Sequence, residues 1–316
     1  MRIFGQQIPV AVAAAFFLLT GACLPLLALP PLAAQKPSPA GSQPGAASPA
    51  GVTPSGASAD TAPAAPRQPR AKTEAEFAEY QRFMKETDAG KQIQLIEDFL
   101  LHYPDSELRE YAFQAATQAY QVKNDFTLVR TYGELTLGEN QDNLVALLIL
   151  ASAIPERTNK NDPESAENLA EAEGYARRIL DLMTRMPQPA GVTPARWEQT
   201  KREAAATAHG SLGMVSLIRE DFSRAESEFK MSADLASAPD PVTFYRLGLS
   251  YSFEKKFDEA LEALDRSDAV GGVRVGSPAR DLVAEAKDFV VKSKEAAGNP
   301  GPRTQPAYPP AQAPVQ

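Results

Sequence analysis

An all-α stack of paired helices is the fold this sequence predicts, and three observations carry the prediction. Apolar residues recur at helical spacing through residues 73–297. Within that stretch one set of residue types returns at a constant offset of 35 positions. The ends are either almost wholly apolar (1–34) or rich in Pro, Ala, Gly and Ser (35–72 and 298–316), compositions that leave little apolar surface to form a second core.

The offset is plainest towards the C-terminus. Ser211-Leu212-Gly213 is matched by Arg246-Leu247-Gly248. Nine residues after each Leu comes a polar–aromatic pair, Asp221-Phe222 and Lys256-Phe257. Ala225 and Ala260 follow three residues after those aromatics, then Phe229 and Leu264 four residues later. Apolar spacings of three and four mark two successive amphipathic helices. Gly213 and Gly248 lie in the first helix of each pair, Ala225 and Ala260 in the second. These small residues let antiparallel helices approach closely, while Leu212, Leu247, Tyr251 and Phe229 fill the space alongside. Phe222 and Phe257 open the second helices after a tight turn.

On SLGMVSLIREDFSRAESEF and LGLSYSFEKKFDEALEAL the pattern resembles the tetratricopeptide repeat, a helix–turn–helix unit of about 34 residues. A third match runs from Glu110 to Asn143, with Phe113, Ala116, Tyr120 and Asp125-Phe126 in equivalent places. It departs from the pattern at Thr117, Val129 and Gly133, which predicts a looser helix crossing. Two more units rest on helical spacing. One spans Thr73 to Asp105, opened by the capping box Thr73-Glu74-Ala75-Glu76 and striped by Ile93, Ile96, Phe99 and Leu100. Its ending, Phe99 to Ser106, resembles the version of the repeat found in bacterial envelope-assembly proteins. The other pairs Asn143–Ile154 with a helix from Glu164 to Arg185, across a loop from Pro155 to Pro163 in which Asp162-Pro163 supplies N-cap and N1. Thr193-Pro194 opens a long helix through Trp197 to Arg219. After a turn containing Gly271, Gly272 and Gly276, Ser277-Pro278 opens a last helix to Ala297, with Leu282, Ala286, Phe289 and Val290 on one face. A terminal amphipathic helix is the expected cap on a final repeat. The expected architecture is an α-solenoid of such repeats with a C-terminal capping helix, flanked by disordered segments; the resemblance covers about two thirds of the chain.

The apolar run from Ile8 to Leu32 follows Arg2 and ends in Leu32-Ala33-Ala34-Gln35, which reads as a secretory signal cleaved after Ala34. Its length also suits an uncleaved membrane anchor. Leu19-Thr20-Gly21-Ala22-Cys23 resembles a bacterial lipobox with Cys23 as the lipidated residue, departing from it at Thr20. All three readings place the remainder outside the cytoplasm, in the periplasm or cell envelope, tethered or secreted. The proline-studded segment 35–72 then reads as an extended linker and 298–316 as a second Pro-rich tail.

Charge and residue inventory narrow the function. Residues 73–297 hold 26 Lys and Arg against 39 Asp and Glu, and no basic cluster that would neutralise phosphates, which argues against nucleic acid as partner. Cys23 is the single cysteine, so the helical block has no disulfide, thiolate metal site or thiol nucleophile. His102 falls at a helix end, where a cation suits the dipole, and His209 takes the place of Phe113 and Phe244 as packing. No paired-histidine spacing, phosphate loop or catalytic triad is legible, and Glu164, Glu167, Glu171 and Glu173 read as a solvated face. The expectation is a non-enzyme without cofactor or metal.

In the family that the repeat resembles, first helices line a groove that receives peptides or protein partners. The matching positions are Tyr111, Gln114, Gln118 and Gln121 in one unit, Met214, Leu217 and Ile218 in a second, and Tyr245, Leu249 and Phe253 in a third. The resemblance thus implies an interaction scaffold of the cell envelope binding a protein or peptide. The alternative is a membrane-tethered subunit of an envelope assembly complex.

Overall fold

The computed structural model describes residues 70–298, apart from Ala190 and Pro239. The expected leader with Cys23, the linker up to residue 69 and the tail beyond Gly298 lie outside the described residues. The helical chain divides into two compact units, whose boundary falls between Ala153 and Ile154.

Within the N-terminal unit, α1 (Glu74–Lys85), α2 (Ala89–His102), α3 (Arg109–Val122) and α4 (Phe126–Glu139) pack each on the next, and α5 (Leu144–Arg157) follows. The capping box forms as its residue types require. Thr73 Oγ1 accepts from Glu76 N–H at 3.1 Å, and the Glu76 carboxylate accepts from Thr73 N–H at 3.3 Å. That carboxylate is almost fully buried and accepts from Ser106 Oγ at 2.5 Å, joining the start of α1 to the α2–α3 connection. Ala71 is buried in the same core and Arg70 N–H donates to Glu107, so packing begins ahead of the expected boundary at residue 73. Ile93, Ile96 and Phe99 are buried with Tyr80 and Phe83, and Leu100 packs at their margin.

In the C-terminal unit the last turn of α5 is followed by α6 (Ser165–Arg185), α7 (Pro194–Ile218), α8 (Phe222–Leu235), α9 (Pro241–Phe253), α10 (Phe257–Ala269) and α11 (Leu282–Gly298). From α6 onward each helix packs on the next. Thr193 caps α7 with Pro194 in its first turn, and Trp197 is buried. Three expectations are corrected. Pro155 lies inside the last turn of α5 instead of opening the loop. α6 begins at Ser165, because the Asp162 carboxylate accepts from Asn159 N–H within the loop and does not cap the helix. The final helix begins at Leu282, not at Ser277-Pro278. Residues 274–281 form an antiparallel ribbon, β1 (Arg274–Val275) with β2 (Arg280–Asp281), turning at Gly276, whose φ is +81°. Asp281 then caps the helix, accepting from Val283 and Ala284 N–H. Leu282, Ala286 and Val290 of α11 are buried as expected, with Phe289 half-buried beside them.

The turn inside each hairpin is the same in all three matched repeats. Asn124, Glu220 and Lys255 have φ of 56°, 63° and 64°. The next N–H in each case reaches back across the helix end: Asp125 to Tyr120 O, Asp221 to Ser216 O and Lys256 to Tyr251 O, at 3.0, 2.9 and 2.9 Å. This left-handed helix stop is what re-aims the chain for an antiparallel return.

The crossings show why small residues recur. A Cβ on Gly213 would meet the Phe229 ring at 2.7 Å, and one on Gly248 would meet Leu264 at 2.8 Å and the Ala260 carbonyl at 3.2 Å. Leu212, Ala225, Phe229, Leu247 and Ala260 are buried, while Phe222, Tyr251 and Phe257 sit half-buried at the edge.

Candidate interaction surface

The first helix of a hairpin buries the face turned to its partner helices and leaves one stripe open. On α3, Tyr111, Phe113, Ala116, Thr117 and Tyr120 are buried. What remains is Gln114, Gln118, Gln121 and Val122, a helical stripe in which Val122 is 75% exposed. Gln114 is committed to the fold, since its Oε1 accepts from Asn143 Nδ2 at 2.8 Å, while Asn143 also donates to Glu110 and accepts from Ala146 N–H. The side-chain amides of Gln118 and Gln121 have no hydrogen bond among the described residues and face outward. Tyr111, expected on the groove, belongs to the core: its ring lies edge-on to Tyr80, and burial pushes its phenol up to about 12.

The C-terminal unit departs further from expectation. Met214 and Leu217 are buried with Ala225, Phe229 and Leu247. Tyr245 and Leu249 are buried with Ala260, Leu264, Val273 and Leu282. These four residues pack between helices and cannot line an open groove, because their positions on α7 and α9 face the neighbouring hairpin and the ribbon. Burial likewise pushes the Tyr245 phenol up to about 12. Ile218 and Phe253 stay half-buried, and the Phe253 ring stacks on Phe222 at 4.6 Å. On α9, Val242, Arg246 and Phe253 are likewise only half-buried. Arg246 escaped the sequence reading, though a signal existed: it is the one charged residue in PVTFYRLGLSYSF. Its guanidinium meets Glu156 in the last turn of α5 at 3.2 Å.

Charge around the hairpin turns is organised by half-buried carboxylates. Glu173 on α6 accepts from Arg219 at 2.5 Å and from Arg224 at 2.9 Å, and pairs with Arg177 at 2.7 Å. Burial alone would raise its pKa, but the bonds from Arg219 and Arg224 outweigh that and hold it below the usual carboxylate range. Glu226 on α8 repeats the device one junction later, accepting from Lys256 at 2.6 Å and Lys230 at 2.5 Å. Against its own burial, those bonds hold it down at about 2. His209 combines packing with a polar contact: it is half-buried, with Nδ1 2.8 Å from Glu228 Oε2. His102 is mostly exposed beside Glu79. Ser211 Oγ donates to the Thr207 carbonyl, and Ser216 Oγ is buried with no hydrogen-bond partner among the described residues. Among the described residues no group of three His, Cys, Asp or Glu is placed to hold a metal ion, and no helix is long and apolar enough to cross a membrane.

No family model matches the chain, and no curated protein sequence matches it either. Among solved structures, it is similar to a thermophilic TPR protein of Thermus thermophilus, at 15% identity and a TM-score of 0.40, over 69% of this chain and 98% of that one.

Proposed function

We propose that this protein is a non-enzymatic interaction scaffold whose first-helix stripes receive an extended peptide or protein segment. The observation that carries this reading is the row of outward, unbonded amides at Gln118 and Gln121, bordered by exposed Val122. Each amide offers a donor pair and an acceptor, which suits the N–H and C=O groups of a bound backbone without demanding a particular side chain. Helices that pack each on the next within a unit favour this use, since neighbouring repeats can present their first helices side by side. The apolar N-terminal segment supports export, with the scaffold working in the periplasm or cell envelope.

The test is site-specific photo-crosslinking in the full-length protein in its native cells. A crosslinker at Gln118 or Gln121 is expected to give discrete adducts, whereas one at Ser227, on the exposed side of α8, gives none. Adduct patterns indistinguishable between the two faces would discard the reading.

A further inference from the structure

The described helical chain is fastened differently at its two ends. At its close, residues 294–298 are all exposed, and Lys294 pairs with Asp258 on the surface. At its start, the residues ahead of α1 are tied to the α2–α3 connection, 33 and 37 positions further on. Arg70 N–H donates to the Glu107 carboxylate at 3.0 Å, and Lys72 Nζ donates to the Asp105 carbonyl at 2.6 Å. Between them Ala71 is buried. The Glu76 carboxylate, 1% exposed, joins the two stretches. One of its oxygens accepts from Lys72 and Thr73 N–H, the other from Ser106 Oγ. Ser106 is itself held, since its Oγ accepts from Leu108 N–H at 2.9 Å. A capping box needs Thr73 and Glu76 alone; the bonds to residues 105–107 are additional to it.

We infer that residues 70–73, Glu76 and Ser106 form a mechanical clasp, through which a pull on the N-terminal segment passes to the α2–α3 connection and spares α1. Pulled from its first turn, a helix opens one backbone hydrogen bond at a time, and each is weak. Here the pull meets the bonds to Glu107, Asp105 and Ser106 before that turn can open. They resist together, because parting Ser106 from Glu76 takes a donor from a buried carboxylate and the acceptor from a buried hydroxyl. The force then spreads further. Arg109 donates to the Pro104 carbonyl and pairs with Glu139 at the end of α4. Such a clasp suits a scaffold held by its apolar segment 1–34 while a partner is held elsewhere. That use rests on the tethered form of the scaffold reading; the clasp itself does not.

Lifetimes of the full-length protein under constant force in optical tweezers test the clasp, with handles on azido residues. Handles at positions 60 and 138 pull through it. Handles at 85 and 138 enter the chain beyond α1 and bypass it; Lys85 and Gly138 are both exposed. Through position 60, Ser106→Ala is expected to shorten the time to first rupture at least about tenfold, and Lys72→Met about threefold. Through position 85, each should change it by less than about twofold. Losses of the same size in both geometries would reduce the clasp to ordinary stability, and unchanged lifetimes through position 60 would remove it. Lys72 is exposed, so its variant carries the test should Ser106→Ala fold poorly.

Discussion

The hairpin α3–α4 and the hairpin α7–α8 share a turn and differ at their crossing. Thr117 stands where Gly213 stands, Val129 where Ala225 does, and Gly133 where Phe229 does. In α7–α8 the first helix supplies the gap and the second supplies the ring that fills it. In α3–α4 the volumes are reversed: Thr117 is buried with its hydroxyl satisfied by the Phe113 carbonyl, and the hollow lies over Gly133 on the second helix. That hollow is not empty. A Cβ on Gly133 would meet Leu150 of α5 at 2.8 Å, so the next helix supplies the filling. The departures at 117 and 133, read from sequence as loosening, are a compensated exchange that hands closure of the hairpin to its neighbour.

The comparison breaks if the filling residues are not equivalent in energy. Phe229 and Leu150 are both fully buried. Phe229→Ala should cost about 3–5 kcal/mol and Leu150→Ala about 2–5 kcal/mol, measured by urea unfolding of the full-length protein. Each loss should appear locally, as faster hydrogen exchange in α7–α8 for the first and in α4–α5 for the second. A Leu150→Ala loss below about 1 kcal/mol would mean that Gly133 faces space the fold does not need filled. Next in size is Gly133→Ala. Its overpacking against Leu150, less the helix propensity gained, should destabilise by about 1–2 kcal/mol. In combination with Leu150→Ala the cost should be clearly less than additive, because the added methyl enters the vacated space.

How far the sequence could be read follows from the same residues. Helix existence and the two glycine-bearing crossings were legible because both depend on local spacing and on residue size at fixed offsets. The start of α7 was legible because Thr193-Pro194 acts within its own turn. The start of α11 was not, since Ser277-Pro278 carries the same kind of signal but Val273 and Val275 are drawn into the core as a ribbon. The partner surface was the least legible part. Repeat position alone puts Met214, Leu217, Tyr245 and Leu249 on a groove, yet which side of a first helix stays open depends on what the following elements cover. The partner of Arg246 was not legible at all, because it lies 90 residues away.

Acid separates the junctions. Glu226 is held at about 2 in the folded protein against roughly 4.3 for an unperturbed Glu. A depressed carboxylate contributes stability that is complete above its unfolded pKa and disappears as pH falls through its folded one. The C-terminal unit should therefore lose stability between about pH 5 and pH 2, with Glu173 contributing in the same direction. Glu226→Gln should lower stability at pH 7 by about 1 kcal/mol, a modest figure because Lys230 and Lys256 reach water. It should also flatten the acid limb, followed by circular dichroism at a series of pH values. An acid limb as steep in Glu226→Gln as in wild type would remove this junction from the account.

The smallest expected effect tests what the hairpins share. If one left-handed stop serves all three turns, its cost should depend on the residue that must adopt it. Asn enters this region more readily than other side chains, whereas Glu220 and Lys255 enter it against the steric preference of their Cβ. Lys255→Gly should therefore stabilise the protein by about 0.5–1 kcal/mol despite the added freedom of the unfolded chain, and Asn124→Gly by less. Lys255 is exposed and in none of the ion pairs around Glu226, so its replacement leaves the Lys256 contacts in place. Glu220→Gly is the less clean member of the set because it also removes the contact with Lys160. A difference between Lys255→Gly and Asn124→Gly is what the common turn demands; equal responses would mean that the hairpins, alike in backbone, pass through differently strained stops.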